Sequence, residues 1–524
     1  MLSFLLLAAG LVFACGNGNG NGTPGDGEED GELPSENTLA VQLVPAVGYN
    51  PATDLSFLTV TIHTPDPRVV EDVEVPAEEP FMLEFELTAE DADTVAAVTV
   101  NGYRAEAAGV LFSTGRCPPI RLGDAMPDPE TGLARPLRLF FHRVETFARM
   151  PETSSLAVGR IGHGAAVLSD GGIAVVGGAA LDGLTRVVEV LDLQRLEFTV
   201  SPMELPAGRS EFAMVGLPGG RALLLGGRTP QPTAHIMSDD GAGNLTFAQL
   251  ESPAGIQGVW AGPRTAALSD GTFMFLGADE GEDMPSPVIV GYSEAGGLEV
   301  VPAIFGGGPA VLDKYRPSVT VFEAGGTEKI LIYGGGGIMP PALAFNTVTW
   351  EVVDAELTYP DQRYDHGAAA VTMADDGGTM QNQAVLIIGG EVKLDETTYE
   401  MARTVYIYVP DCLAGSCVTG QAWSDAGPAL AEHPARTGSV FVLPDERILY
   451  IGGRDEAGEA TDSVIVVTAG TPSDFDVAYM SLSEKRVAPL LLWHEALGQL
   501  FIIGGEGAGG APLTTVEVFT PREE

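Results

Sequence analysis

The chain has 524 residues, which is enough for two or three domains with a large buried core. Its 27 lysines and arginines stand against 72 aspartates and glutamates, giving a formal net charge of -45 at pH 7. A protein with this much negative charge repels a phosphate backbone. The composition therefore argues against a nucleic-acid partner. The same acidity can concentrate a divalent cation. We expect no cofactor, and Ca²⁺ bound at an acidic rim is an open alternative.

The chain begins MLSFLLLAAGLVFACGNGNGNG, about a dozen apolar residues followed by Cys15. This run is too short to span a membrane as a helix and has the proportions of a secretory signal. It resembles a bacterial lipoprotein signal, which implies that residues 1–14 are removed and that Cys15 is lipidated. The resemblance predicts an exported protein at the outer membrane or cell surface that contacts the membrane through its lipid anchor only. A periplasmic or secreted protein with an ordinary signal peptide is the alternative.

Two further regions precede the repeats described below. Residues 15–37 are rich in Gly, Asn and acidic residues and cannot bury enough apolar area to fold, so we expect a flexible tether. Residues 38–135 contain strand-like segments without a helical period, such as FLTVTIHT and TVAAVTVNG. They predict a small β-sandwich of the immunoglobulin or transthyretin type.

An apolar run that ends in glycine recurs in the rest of the chain. The runs are IAVVGG, ALLLGG, FMFLGA, ILIYGG, VLIIGG, ILYIGG and LFIIGG, with first glycines at 177, 226, 277, 334, 389, 452 and 504. Each unit is about 50 residues long and is typical of four antiparallel strands, which form one blade of a β-propeller. The glycine doublet, the strand pattern and the period resemble kelch repeats, the superfamily that includes galactose oxidase.

The two ends of the repeat region predict how the ring closes. The last repeat has only one strand, TTVEVF, after its glycines, whereas VETFARMP around Phe147 is an outer strand without a blade of its own. Pairing the two would remove the exposed sheet edges. The prediction is an all-β chain in which residues 143–521 form a seven-bladed kelch-like propeller closed by its N-terminal strand.

A second repeated feature predicts a candidate binding face. An arginine starts the first strand of most units, and antiparallel pairing brings it to the same face of the disc as the glycines. The ring consists of Arg160, Arg209, Arg316, Arg363, Arg436 and Arg486, with Trp260 in the third unit. Acidic loops follow several glycines, at Asp279, Glu280, Glu282, Asp283, Glu391, Asp395, Glu396, Asp455, Glu456, Glu459 and Asp462. We expect these carboxylates to pair with the arginines, and recognition of a ligand is the alternative.

Two histidines, His163 and His366, share one repeat position three residues after the arginine. A catalytic histidine needs a nucleophile or metal ligands beside it, and a repeated position favours packing and hydrogen bonding instead. The galactose oxidases use a copper site with tyrosines, histidines and a tyrosine cross-linked to a cysteine, and no such cluster recurs here. No metal site or catalytic constellation is therefore predicted.

The remaining cysteines fit an oxidising compartment. Cys412 and Cys417 are close enough in sequence to form a disulfide within one hairpin, which leaves Cys117 as a buried residue.

Together these features favour a non-enzymatic protein that binds a protein or a glycan, or acts as a scaffold, at the cell envelope. Two alternatives remain. One is a carbohydrate-acting enzyme of oxidase or epimerase type built on a kelch propeller. The other is a structural envelope protein.

Overall fold

The computed structural model describes most of the chain beyond the first residues. The described ranges are 38–105, 109–126, 136–229, 234–241, 244–251, 260–279, 287–293, 297–301, 317–335, 342–349, 352–354, 363–374, 381–394, 398–402, 405–408, 423–425, 436–471 and 474–522. The chain divides into an N-terminal unit, residues up to 144 with 192–196, and a C-terminal unit, residues 145–191 with 197–524. Cys15, Cys412 and Cys417 lie outside the described residues.

Helices are short in the described parts of the chain. They are α1 (Pro51–Asp54) and four 3-10 turns, Ala89–Asp93, Leu122–Ala125, Glu152–Ser154 and Ala508–Gly510. Within those parts, no helix has the length and apolar character that a membrane crossing requires. The protein is all-β.

The N-terminal unit is a sheet of eight strands. They are β1 (Thr38–Pro45), β2 (Phe57–His63), β3 (Arg68–Val73), β4 (Phe81–Glu86), β5 (Val95–Tyr103), β6 (Leu111–Arg116), β7 (Ile120–Arg121) and β8 (Leu137–Arg143). The order is β3-β2-β5-β6-β8-β1-β4, with β7 paired to β5. Alternate residues of β2, such as Val60 and Ile62, point into one core, which also holds Cys117. Cys117 is thus buried, as expected.

The last strand of this unit was not part of the predicted sandwich, which ended at residue 135. β8 pairs with β6 on one side and runs parallel to β1 on the other, so it joins the two halves into one sheet. Its alternating residues Leu137, Leu139 and Phe141 belong to the shared core. Two separate sheets, as in an immunoglobulin sandwich, are therefore replaced by one continuous sheet.

The described residues of the C-terminal unit form seven four-stranded antiparallel sheets, numbered here in chain order. Sheet 1 consists of β10 (Gly164–Val167), β11 (Ile173–Val176), β14 (Val188–Asp192) and β15 (Glu197–Val200), and sheet 2 consists of β16 (Ala213–Leu217), β17 (Arg221–Leu225), β18 (Ala234–Asp239) and β19 (Leu245–Leu250). Sheet 3 consists of β20 (Trp260–Ala267), β21 (Phe273–Asp279), β22 (Pro287–Ser293) and β23 (Gly297–Val301). Sheet 4 consists of β24 (Ser318–Ala324), β25 (Thr327–Tyr333), β26 (Ala342–Asn346) and β27 (Val352–Asp354).

Sheets 5 to 7 complete the series. Sheet 5 consists of β29 (Gly367–Ala374), β30 (Gln381–Ile388), β33 (Tyr406–Tyr408) and β34 (Trp423–Asp425). Sheet 6 consists of β35 (Ser439–Val442), β36 (Ile448–Ile451), β37 (Ser463–Thr471) and β38 (Asp474–Ser481). Sheet 7 consists of β39 (Leu490–His494), β40 (Gln499–Ile503), β41 (Val516–Phe519) and β9 (Phe147–Arg149). Two small additions are the hairpin β12 (Ala179–Ala180) with β13 (Gly183–Leu184), and a three-stranded sheet of β28 (Arg363–Tyr364), β31 (Glu391–Lys393) and β32 (Tyr399–Met401).

The second strand of each sheet carries the apolar run, and its burial explains the sequence pattern. β11, β36 and β40 are buried at every residue because both of their faces lie against protein. The apolar clusters are each shared by two consecutive sheets, for example sheets 1 and 2, 5 and 6, and 6 and 7. This arrangement is compatible with a propeller.

The glycine doublets are the joints between consecutive sheets. The second glycine donates its backbone N–H to the carbonyl of an arginine in the next sheet, from Gly178 to Arg209 at 2.7 Å and from Gly453 to Arg486 at 2.9 Å. Gly505 of sheet 7 makes the same bond to Arg160 of sheet 1, at 3.3 Å. The last sheet therefore lies beside the first.

The expected pairing of the N-terminal strand with the last three strands is present in sheet 7. β9 pairs with β41, and the rings of Phe147 and Phe519 lie 4.9 Å apart. Just before β9, both carboxylate oxygens of Glu145 accept hydrogen bonds from Arg447 of sheet 6, at 2.7 and 2.8 Å. This ion pair fastens the start of the unit to a neighbouring sheet.

Substitution of a joint glycine should destabilise the protein more than substitution of a turn glycine. Gly177 and Gly219 both have a positive φ, so alanine is strained at either position. A Cβ on Gly177 would lie 2.8 Å from the carbonyl oxygen of Arg209, whereas a Cβ on Gly219 would meet nothing within 4 Å. We expect Gly177→Ala to lower the free energy of unfolding by about 1–3 kcal/mol more than Gly219→Ala in urea denaturation. Equal losses of stability for the two variants would contradict the role of Gly177 at the contact between sheets 1 and 2.

Candidate functional site

Four members of the predicted arginine ring are completely buried: Arg160, Arg209, Arg363 and Arg486. Arg160 shows the arrangement. Its Nη1 donates to the carbonyls of Gly177 and Val187, both at 3.0 Å, and its Nη2 donates to the buried carboxylate of Glu189. Arg160 thus ties the start of sheet 1 to its second and third strands.

Arg486 makes the same set of bonds in sheet 7. Its Nη1 donates to the carbonyl of Gly504 at 3.0 Å, and its Nη2 donates to Thr515 Oγ1 at 3.2 Å and to Glu517 at 2.7 Å. Glu517, like Glu189, has no exposed surface. Since the two sheets are far apart in sequence, this repeated pattern is a structural property of the fold.

The partner of each buried arginine occupies one place in the sheet, which we call the third-strand position. It lies opposite the residue two before the first glycine, and it is Glu189 in sheet 1, His235 in sheet 2, Tyr406 in sheet 5 and Glu517 in sheet 7. Nη2 of Arg209 lies 3.3 Å from His235 Nδ1. The guanidinium of Arg363 lies 4.3 Å from the ring centroid of Tyr406, a cation–π distance. Each of these partners can stabilise a buried cation.

The third-strand position is apolar in the remaining sheets. It is Val288 in sheet 3, Leu343 in sheet 4 and Ile465 in sheet 6. An apolar residue offers no acceptor to a buried guanidinium. Trp260 pairs with Asp279 as Ile161 bridges Ala179, so Trp260 follows the ring position by one residue, and Arg316 lies outside the described residues.

Arg436 does not occupy the ring position that we expected. Its backbone bridges Arg454 as Ile161 bridges Ala179, so Arg436 follows the ring position by one residue. Its side chain is 33% exposed and forms an ion pair with Glu391. From this shifted position the guanidinium reaches the partly exposed carboxylate of Glu391 in β31.

Burial lowers the pKa of three of the buried arginines. It lowers the pKa of Arg160 and Arg486, and the neighbouring Glu189 and Glu517 oppose the shift by favouring the charged form. Burial lowers the pKa of Arg209 to about 10, which still leaves it charged at neutral pH. These arginines are therefore internal braces, with no surface to offer a ligand.

The acidic loops are only partly involved with the ring arginines. Glu391 pairs with Arg436, while Asp455 stays in its own loop and accepts from the backbone N–H of Glu459 at 3.0 Å. The predicted residues Glu280, Glu282, Asp283, Asp395 and Glu396 lie outside the described residues. Among the residues that the structure describes, no group of three or more His, Cys, Asp or Glu side chains could hold a metal ion.

His163 and His366 pack into the joints between sheets. A Cβ on Gly504 would lie 2.8 Å from His163 Cε1, and a Cβ on Gly334 would lie 2.5 Å from His366 Cε1. Each imidazole therefore fills space that the first glycine of the preceding sheet leaves open, as Phe212 does against Gly177. Burial, with a smaller contribution from Arg160, lowers the pKa of His163 to about 3. His366 Nε2 lies 2.9 Å from Ser318 Oγ.

Sequence reasoning missed the acceptors of the buried arginines. Glu189 and Glu517 are each a single glutamate between two valines, in VVEVLDL and TTVEVF, within strands that are otherwise mostly apolar. A lone carboxylate on a buried strand requires a buried partner. A lone glutamate on such a strand therefore indicates a buried ion pair with the arginine of the same repeat.

The partly exposed charges beside the glycine doublets form what we call the charge row: Glu391, Arg436, Arg454 and Glu506. Nη2 of Arg454 donates to both carboxylate oxygens of Glu506, at 2.6 and 2.7 Å, while Arg436 pairs with Glu391. The pairs connect sheets 5, 6 and 7, and their side chains are between 15% and 33% exposed. The row is one part of the predicted binding face where charges of both signs reach solvent.

Comparisons with known proteins give limited information. No family model matches the chain, and no curated protein does. The solved structure of YjhT is similar over 71% of this chain and 97% of its own, with 13% sequence identity and a TM-score of 0.37. A likeness of this size carries no conclusion about function.

A buried ring arginine should matter far more to stability than an exposed one. Arg160→Ala leaves Glu189 buried without its partner, so we expect a loss of about 3–5 kcal/mol in the free energy of unfolding. The control is Arg228→Ala, which removes a half-exposed partner of Glu211 and should cost about 0–1 kcal/mol. Similar losses in urea denaturation would contradict the bracing role.

The burial of His163 should lower the free energy of unfolding as the pH falls. Its pKa is about 3 in the folded protein and about 6.5 in the unfolded chain, so below pH 6.5 the unfolded state binds a proton that the folded state does not. We expect His163→Phe, which copies Phe212 of sheet 2, to remove a dependence approaching about 1.4 kcal/mol per pH unit between pH 6 and 4. Parallel stability curves for the two proteins would contradict the prediction.

Proposed function

We propose that this chain is an exported, lipid-anchored protein whose C-terminal unit is a seven-bladed kelch-like propeller that acts as a binding or scaffold module at the cell envelope. Cys15 would carry the lipid, and residues 15–37 would tether the folded units. The ligand would be a protein or a glycan, met at the face that carries the charge row.

The seven consecutive sheets and the bond from Gly505 to Arg160 support a closed propeller. Kelch character is supported by the recurrence of the glycine doublet, because the second glycine makes the same backbone bond to the next sheet in sheets 1, 4, 6 and 7. The closing strand β9 supports the start of the propeller near residue 143.

One observation carries the proposal of binding rather than chemistry: the charge row is an ordered, partly exposed set of charges at the glycine ends of sheets 5 to 7. The repeated groups that suggested chemistry have other uses. The four buried arginines brace the sheets, and His163 and His366 fill the joints. Ion pairs held in place by their partners lose little side-chain entropy on binding, which suits recognition.

The charge row should be needed for binding. We expect the double variant Arg436→Ala/Arg454→Ala of the full-length chain to lose at least about tenfold in affinity for the envelope proteins or glycans that the wild type retains. The control is Arg221→Ala, which removes one arginine at the opposite end of its strand, away from the charge row, and should bind like the wild type. Affinities are measured by surface plasmon resonance after a pull-down identifies the retained species.

The outcome that contradicts the proposal is unchanged binding by a double variant that melts at the wild-type temperature. Turnover of a captured carbohydrate would instead favour an enzyme. Capture of nothing by the wild type would favour a structural envelope protein.

A further inference from the structure

The three-stranded sheet of β28, β31 and β32 places two tyrosines and two charged residues on one face. Tyr364 lies directly opposite Glu391, and Lys393 lies directly opposite Tyr399. Residues directly opposite each other share a face, as do Glu391 and Lys393, which are two apart on one strand. Sheet 5 thus carries a small mixed aromatic and charged surface of its own.

The two rings form a corner. Their centroids are 5.8 Å apart and their planes are inclined at 78°. Tyr399 is 46% exposed, whereas Tyr364 is half-buried. Burial, followed by the charges of Tyr399 and Glu391, raises the pKa of Tyr364, so its hydroxyl remains a donor at neutral pH. An exposed ring therefore stands beside a fixed hydrogen-bonding group.

The charged groups beside the rings are held in place. Glu391 accepts a hydrogen bond from Arg436 of sheet 6, which joins this surface to the charge row. A carboxylate and a guanidinium fixed by each other offer an acceptor and donors in a defined geometry. Such groups bind vicinal hydroxyls well because each can make two hydrogen bonds at once.

We infer that this surface binds a hexopyranose unit of a neutral glycan, with Tyr399 as the stacking platform and Glu391 and Arg436 as the hydroxyl-binding groups. A pyranose ring has one apolar C–H face and a rim of hydroxyls, which matches an exposed ring bordered by fixed charges. The inference rests on the binding role proposed above and names the ligand class at part of that face.

The charge of the chain favours a neutral sugar over an acidic one. The net charge of -45 repels an anionic glycan at long range, and of the two local cations, Arg436 and Lys393, the first is already paired with Glu391. A protein partner would need a broader apolar surface than two tyrosines provide.

The test measures sugar binding by the full-length chain on an array of neutral and acidic oligosaccharides, followed by calorimetry with the strongest ligand. We expect neutral hexose-containing glycans to bind. Tyr399→Ala should weaken them at least about tenfold, while Tyr399→Phe, which keeps the ring, should stay within about threefold of the wild type. The matched control is Tyr479→Ala, which removes a tyrosine of similar exposure from the outer strand of sheet 6 and should change nothing.

Four outcomes would overturn the inference. They are no binding of any neutral glycan, preference for acidic glycans, no effect of Tyr399→Ala, and equal losses for Tyr399→Ala and Tyr479→Ala. Failure of the inference is separable from failure of the proposed function. If Arg436→Ala/Arg454→Ala abolishes binding of an envelope protein while no neutral glycan binds, the binding role stands and the sugar assignment falls.

Discussion

The close approach of one sheet's glycines to the backbone of the next sheet's arginine is the constraint on which the C-terminal unit depends. The second glycine donates its N–H to that arginine's carbonyl, and the first leaves room for a ring such as His163 or Phe212. A side chain at the first glycine would meet the same carbonyl, at 2.8 Å in the case of Gly177. The first glycine therefore leaves the room that lets the sheets stack side by side, which explains why every apolar run ends in glycine, whereas the second position is Ala278 in sheet 3.

This joint fixes the backbone of the ring arginine, and the third-strand position then decides where its guanidinium goes. With Glu189 or Glu517 there, the cation is buried and paired with the carboxylate. With Ile465 there, no acceptor exists, and Arg436 is found one residue later with a surface partner. A row of arginines that looks like a binding ring in sequence is thus two populations in the structure, internal braces and surface charges, distinguished by a residue on another strand.

The sequence predicts the strands well because the repeat, the turn glycines and the apolar runs are local signals. It also predicts the closing strand, because VETFARMP and TTVEVF are each incomplete alone. It fails where the outcome depends on pairing across strands. The acceptors of the arginines were missed because the loops between the second and third strands differ in length, so Glu189, His235 and Tyr406 fall at unequal distances from their glycines. The register of Arg436 was missed for a related reason, since a one-residue difference before the hairpin is invisible in the spacing of arginine and glycine.

In a repeat protein of this kind, residues that recur in the sheets and residues that recognise a ligand have different roles. The side chains that recur from sheet to sheet are used for packing, because each copy faces similar neighbours; this holds for the four buried ring arginines and for His163, His366 and Phe212, which fill the space beside the glycines. Specific recognition requires a place where the repeat is broken, since only there does one sheet present groups that the others lack. Sheets 5 and 6 contain two such breaks side by side, the added strands β28, β31 and β32 and the displaced Arg436, and Glu391 belongs to both. That coincidence is why the search for a ligand belongs at the border of these two sheets, away from the centre of the predicted ring.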